Sequence, residues 1–223
     1  MSLFEEALLK TPKSVGKLEE LGRVRLSANF FMRDFLYSEI ANLHGIPNVP
    51  EDPDLAIAAG TRLCEEILEP LNAAFGRIAI RSAYRSPTVN AFGNEKNYSC
   101  ARNEANYASH IWDRRDAQGR MGATACIVIP RFADRFEAGA DWRALAWWIH
   151  DHLPYSRMFF FPIRAAFNLQ WREEPERRID SYLEPAGCLT RPGMANHGGS
   201  HAEWYEAHPI LSAADRAAQA VDG

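Results

Sequence analysis

Residues 78–90 read IAIRSAYRSPTVN, and further along come ASH at 108–110 and GATACIVIP at 122–130. IAIRSAY reads as a short strand, with SPTVN starting the following turn or helix. TACIVIP is a continuous apolar run of the kind that fills a buried strand. Between them lies a polar, Asn-rich loop, GNEKNYSCARNEANY (93–107), long enough to cross the face of a site. An apolar strand end that carries arginines, followed by a histidine, suggests a carboxylate anchor beside a metal site.

Upstream the signal is helical. Ser27 or Asn29 starts a predicted first helix through FFMRDFLYSEIANLHG (30–45), which Gly45 ends. Asp52 or Asp54 caps a second through LAIAAGTRLCEEILEPLNAAFG (55–76). In that second stretch Leu55, Ala58, Leu63, Ile67, Leu68 and Leu71 recur at helical spacing and are expected to face a core. Downstream, DWRALAWWIHDH (141–152) reads as an amphipathic helix and YSRMFFFP (155–162) as a strand. Short strands separated by helices and long loops predict an α+β class, with N-terminal helices packed on a mainly antiparallel sheet, better than a regular βαβ alternation. After Trp171 the character shifts to Pro, Gly and Arg. A single domain is expected over 1–223, with its core at about 27–175, an irregular extension over 176–223 and a frayed end at ADRAAQAVDG (214–223).

Composition narrows the function classes. At 223 residues and 47% hydrophobic content the chain can bury a sizeable core, and no apolar run is long enough to cross a bilayer. The net charge is −4 and the Lys and Arg residues are scattered, which argues against a nucleic-acid partner. MSLFEEALLKTPKS lacks the layout of a secretory signal, so a cytoplasmic location is the default expectation. Cys64, Cys100, Cys126 and Cys188 are widely spaced with no CxxC, and reduced thiols are expected.

The turn at 78–90 and the segments around His110 and Cys126 resemble the zinc D-alanyl-D-alanine carboxypeptidases and dipeptidases of the Hedgehog-like fold. In that family a strand ends in a Ser-Gly-Tyr-Arg-Ser-Pro type turn, and a Ser-x-His-x-x-Gly-x-Ala-x-Asp segment supplies two zinc ligands. The resemblance covers roughly residues 30–171. It implies a substrate-carboxylate or transition-state arginine at Arg85 or Arg81, with Ser86 in the same turn, and a first zinc ligand at His110. It also implies a peptidoglycan-derived peptide as substrate, which lies outside the cytoplasm unless recycled peptides are used.

This chain departs from the pattern at definite places. Ala108 stands at the family's first Ser, and DRRDAQGR (113–120) stretches the spacing after His110. Cys126 takes the aspartate position; a thiolate binds zinc at about 2.3 Å but lowers its Lewis acidity. Phe161 falls near the position of the general base, and Leu169, Arg172 or Glu173 near the third ligand. Independently of the family, His197 and His201 in ANHGGSHAEWY (195–205), with Glu203, form a second candidate metal constellation, although Gly198 and Gly199 argue against a helix there.

Each residue also has a structural reading. His110 suits a hydrogen-bonding role, Cys126 a small core residue, Arg85 a turn cap or ion-pair partner, and His150 and His152 a helix end. Two functions follow. The first is a pseudoenzyme, a peptidase-fold protein with a degraded zinc site that binds a small peptide-like or carboxylate ligand or a protein partner. The alternative is an active zinc-dependent D-Ala-D-Ala-type carboxypeptidase or other amide hydrolase that uses His110 with replacement ligands such as Cys126, His197 or His201. A phage or cell-envelope structural module stays open as a third reading.

Overall fold

The computed structural model describes residues 10–206; the predicted frayed end at 214–223 lies outside them. Helix α1 (Val15–Gly22) opens at Ser14, whose hydroxyl accepts from the Lys17 N–H. The helix expected over 30–45 is instead two short pieces, a 3-10 turn at Met32–Phe35 and helix α2 at Glu39–His44. Side chains that compete for the backbone explain the break. The Asp34 carboxylate accepts from the Phe31 N–H, the Asn48 amide donates to the Leu36 carbonyl, and the Ser38 hydroxyl caps α2. Gly45 ends α2 in the left-handed region at φ 65°, where a Cβ is unwelcome.

The second predicted helix forms as helix α3 (Pro53–Leu63), a π turn (Cys64–Leu68) and helix α4 (Glu69–Phe75), with Asp52 accepting from the Leu55 N–H as the cap. The Glu69 N–H reaches back five residues to the Cys64 carbonyl. That slip sits immediately before Pro70, which has no N–H with which to continue the α ladder.

Strand β1 (Ala79–Ser82) leads to helix α5 (Pro87–Glu95), capped by Ser86, and to the single turn of helix α6 (Asn103–Asn106). Strand β2 (Gly122–Val128) is buried at every position. Helices α7 (Pro130–Glu137) and α8 (Trp142–His152) follow, the latter capped by Asp141. The chain then forms strands β3 (Arg157–Phe160), β4 (Phe167–Arg172), β5 (Arg178–Ser181) and β6 (Gly187–Thr190). The sheet order is β1-β2-β4-β3-β5-β6, antiparallel except between β3 and β5. The class is therefore α+β with a mostly antiparallel sheet, as expected. Strands β5 and β6 extend the sheet as far as Thr190, beyond the core boundary expected at about 175 and into the segment expected to be irregular.

Alternation along the strands builds the core. Ala125, Leu169, Met158 and Ile179 stand in one row across β2, β4, β3 and β5, and Ile127, Phe167 and Phe160 in the next. This face joins a single buried cluster with Ala56, Ala59, Leu63 and Ile67 from the α3 helical run and Leu145, Trp148 and Ile149 from α8. Phe75 meets Trp148 edge-on at 4.7 Å, one of the favoured aromatic geometries. At the crossing of α3 with Trp112 a glycine is required, since a Cβ on Gly60 would stand 2.8 Å from the indole ring and 3.2 Å from Leu26.

Gly60→Val should therefore lose about 1–3 kcal/mol to overpacking. Gly16→Ala in α1, where the added Cβ meets nothing within 4 Å, should gain up to about 1 kcal/mol from helix propensity. Urea unfolding midpoints of the two variants should move in opposite directions. A Gly60→Val protein as stable as wild type would show that the helix–Trp112 approach is looser than described.

Candidate binding cleft

The strand residues that do not enter the core form the site. Ser82, Cys126, Asn168, Phe159 and Asp180 stand in one cross-strand row on the opposite face, and Thr124, Gln170 and Arg157 in the next. Two cavities open there. One of about 300 Å³ is lined by Ser82, Arg85, Cys100, His110, Cys126 and Phe161, among others. The other, of about 260 Å³, is lined by Ser109, Thr124, Arg157, Gln170, Arg172 and Glu176, among others. His110 and Asn168 wall both cavities, so the two are halves of one cleft. Tyr98, Ser99 and Cys100, from the Asn-rich loop, stand at its rim.

Main-chain bonds hold His110 against the sheet. The Thr124 N–H donates to the Ser109 carbonyl at 2.9 Å, and the Arg85 N–H donates to the His110 carbonyl at 2.8 Å. The ring Nδ1 lies 2.8 Å from the Ala83 carbonyl, which fixes the tautomer, with Nδ1 as donor and Nε2 as a lone-pair acceptor. Nε2 has no hydrogen-bond partner among the described residues. Burial, helped by the Arg85 charge, pushes the His110 pKa down to about 3, so the ring is neutral at ordinary pH.

The Arg85 guanidinium donates from Nη1 to the Cys100 sulfur at 2.7 Å, while its Nε is buried without a partner. Glu39 lies on the same cavity wall, but Arg85 forms no ion pair among the described residues. Arg81 is exposed on β1 and lines neither cavity. Ser86 is buried and structural rather than ligand-facing, since its hydroxyl donates to the Pro47 carbonyl and accepts from the Val89 N–H.

The residues beside His110 do not fit a catalytic zinc ion, which takes three protein ligands and an open position. Burial pushes the Cys126 thiol up to about 11, only partly offset by Arg81 and Arg85, so it stays protonated. Across the strand from it stands Asn168, a neutral amide. Leu169 faces the core, and Arg172 is tied to Glu176 at 3.1 Å and to Asp116 at 3.6 Å. Glu173 accepts from the Met121 N–H, and Phe161 is an apolar wall. Sequence reasoning missed Asn168 and Gln170. Their signal was the alternation in FNLQWR (167–172), where polar residues fall at every second position.

His197 and His201 do not approach His110. They fold onto the end of α8, where His197 borders a separate cavity with His150 and Arg177 and His201 contacts Asp151 and Trp147. His201 stacks on Trp147 at 3.8 Å and 5° between planes, its Nδ1 lies 2.7 Å from the Asp151 carboxylate, and its Nε2 lies 2.9 Å from the Asn196 carbonyl. Ligand atoms of His150, Asp151 and His201 lie within 4.8 Å of one another, a grouping that could hold a metal ion. Each is already engaged, however. His150 lies 2.9 Å from the His197 carbonyl through Nε2 and 2.6 Å from the Tyr155 hydroxyl through Nδ1. Burial raises the Asp151 carboxyl, but hydrogen bonds from His201 and Tyr205 outweigh it and hold the group below its ordinary value. The arrangement works as a clasp closing 196–205 onto α8.

No family model, curated protein or solved structure matches this chain. Among the described residues no helix is long and apolar enough to cross a membrane.

Two outcomes follow from these environments. The folded His110 pKa near 3 lies below its ordinary 6.5, so between those values the unfolded chain binds a proton that the folded protein refuses. Stability should fall as pH is lowered through that window, by up to about 1.4 kcal/mol per unit from this group. His110→Gln should remove that part of the slope in urea midpoints taken from about pH 7.5 to about pH 4.5; identical slopes would count against the buried neutral ring. For the clasp, Asp151→Asn weakens the charge-assisted contacts of His201 and Tyr205, a loss of about 1.5–3 kcal/mol. Limited proteolysis should then cut within 196–205 sooner than in wild type, and unchanged cleavage there would reject the clasp.

Proposed function

We propose that the protein binds a small carboxylate-bearing, peptide-like ligand in the cleft beside Arg85 and does not hydrolyse it. The observation that carries this reading is the state of Arg85. A half-buried guanidinium at the cavity wall contacts the Cys100 sulfur, leaves its buried Nε unpartnered and forms no ion pair among the described residues. An unmade hydrogen bond of this kind costs about 1–3 kcal/mol. A carboxylate, which matches a guanidinium in charge and in bidentate geometry, supplies what the protein does not.

The remaining walls suit a peptide-like molecule. Neutral His110 offers the Nε2 lone pair to an N–H or O–H, while Asn168, Gln170 and Thr124 present further donors and acceptors. For hydrolysis the cleft is poorly equipped. His110 is a weak base, Cys126 is a protonated thiol, and Glu176 in the second half lies 3.1 Å from Arg172 and 3.6 Å from Arg157. A missing general base alone lowers rate by about 10²–10⁴. On this reading the chain is a divergent relative of the zinc D-alanyl-D-alanine peptidases that keeps the arginine turn and has lost the metal chemistry, and cell-wall peptides recycled into the cytoplasm are a fitting ligand source.

Titration calorimetry with N-acetyl-alanyl-alanine and its C-terminal amide tests the proposal. The acid should bind saturably and the amide should not, and Arg85→Ala should weaken the acid by about 30-fold or more. Chelator-sensitive, multiple-turnover cleavage of the peptide with added zinc, abolished in His110→Ala, would overturn the binding reading in favour of a hydrolase.

A further inference from the structure

The segment MFFF (158–161), the end of β3 and the residue that follows it, turns its aromatic residues to different sides of the sheet. Phe160 is fully buried in the core, stacked on Phe167 at 4.6 Å, whereas Phe159 and Phe161 are only partly covered. Phe159 stands beside Asn168 in the cleft row and borders the second cavity; Phe161 borders the first, with Arg85. Tyr182, 65% exposed, completes the group. Its ring lies 4.6 Å from Phe159 and 6.1 Å from Phe161, and Phe159 and Phe161 are 5.4 Å apart. None of the three carries a cation over its face among the described residues. Phe159 and Phe161 border the cavities and Tyr182, which lines neither, flanks them; none of the three belongs to the core cluster, so the group asks for an apolar partner from outside the chain.

We propose that the ligand of this cleft is an aromatic acid, with its carboxylate on Arg85 and its ring packed against the Phe159–Phe161–Tyr182 wall. The inference rests on the carboxylate reading above and narrows it. Arg85 and Phe161 line the same cavity, so one small molecule reaches both. The volume of about 300 Å³ is at the small end of ligand pockets and suits a single ring with a short acid-bearing arm. Partly exposed edges and faces arranged at 40–67° offer a ligand ring both offset-stacked and edge-on contacts. His110 Nε2, an acceptor on the same wall, suits an N–H on the arm.

The test compares N-acetylphenylalanine, N-acetylalanine and the amide of N-acetylphenylalanine by titration calorimetry on the full chain. The aromatic acid should bind about 3- to 10-fold more tightly than the alanine acid, the value of one aromatic contact. The amide should lose most of that affinity. In Phe161→Ala, and separately in Tyr182→Ala, whose exposed ring can be removed without touching the core, the ratio of the two acids should fall toward one. Two acids that bind equally, both dependent on Arg85, would overturn the aromatic inference and leave the carboxylate reading standing. Failure of both acids to bind folded wild-type protein would remove the two together, and an aromatic preference retained in both variants would place the ring elsewhere.

Discussion

The approach of the segment 108–112 to the start of β2 is the constraint on which the site depends. The Trp112 indole N–H donates to the Thr124 carbonyl at 3.2 Å, and the Ser109 and Thr124 hydroxyls lie 3.1 Å apart. At Gly122 a Cβ would stand 2.4 Å from the Ala108 carbonyl and 2.9 Å from the Trp171 carbonyl, so only glycine admits this packing. The same strand is paired on both sides, with β1 and β4, and is buried on both faces. Its register is therefore tightly specified. A slip of one residue would turn Thr124 and Cys126 into the core and Ala125 into the cleft.

Once the register is set, the electrostatic character of the cleft follows. Burial keeps His110 neutral and Cys126 protonated, and in the Arg85 half the guanidinium makes no ion pair among the described residues, although the Glu39 carboxylate stands on the same wall. In the other half the charges are matched internally, with Arg157 and Arg172 both facing Glu176. Attraction for an anion is thus concentrated at one end. On the proposed binding reading, such a site would select by placement of a single charge and a few hydrogen bonds, in a region where water screens less than at the open surface.

Much of this organisation was legible in the sequence where the signals are local. Asp52, Ser86, Asp141 and Gly45 mark helix ends through bonds that span two to four residues, and the apolar run in GATACIV announces a buried strand. The order of turn, loop and histidine also anticipated that Arg85 and His110 border one cavity. What escaped depends on distant partners. RIDS at 178–181 has no apolar alternation and becomes a strand because β3 receives it in parallel, while the break in 30–45 requires the Asn48 side chain at the Leu36 carbonyl. Pairing of His201 with Asp151, 50 residues away in the chain, likewise has no local signature. Counting histidines could suggest a metal centre but could not reveal that their ring nitrogens were already spent on protein partners.

Two buried polar atoms without partners give the cleft a direction. Arg85 Nε is a donor in the first half, and Gln170 Oε1 is an acceptor in the second, its amide orientation set by the bond from Nε2 to the Ala108 carbonyl at 3.2 Å. Leaving such groups unsatisfied costs free energy in the empty protein, and folding alone offers no compensation. On the proposed binding reading, an acceptor-bearing end of the ligand would face Arg85 and a donor-bearing end Gln170, with His110 and Asn168 between them where the two cavities meet.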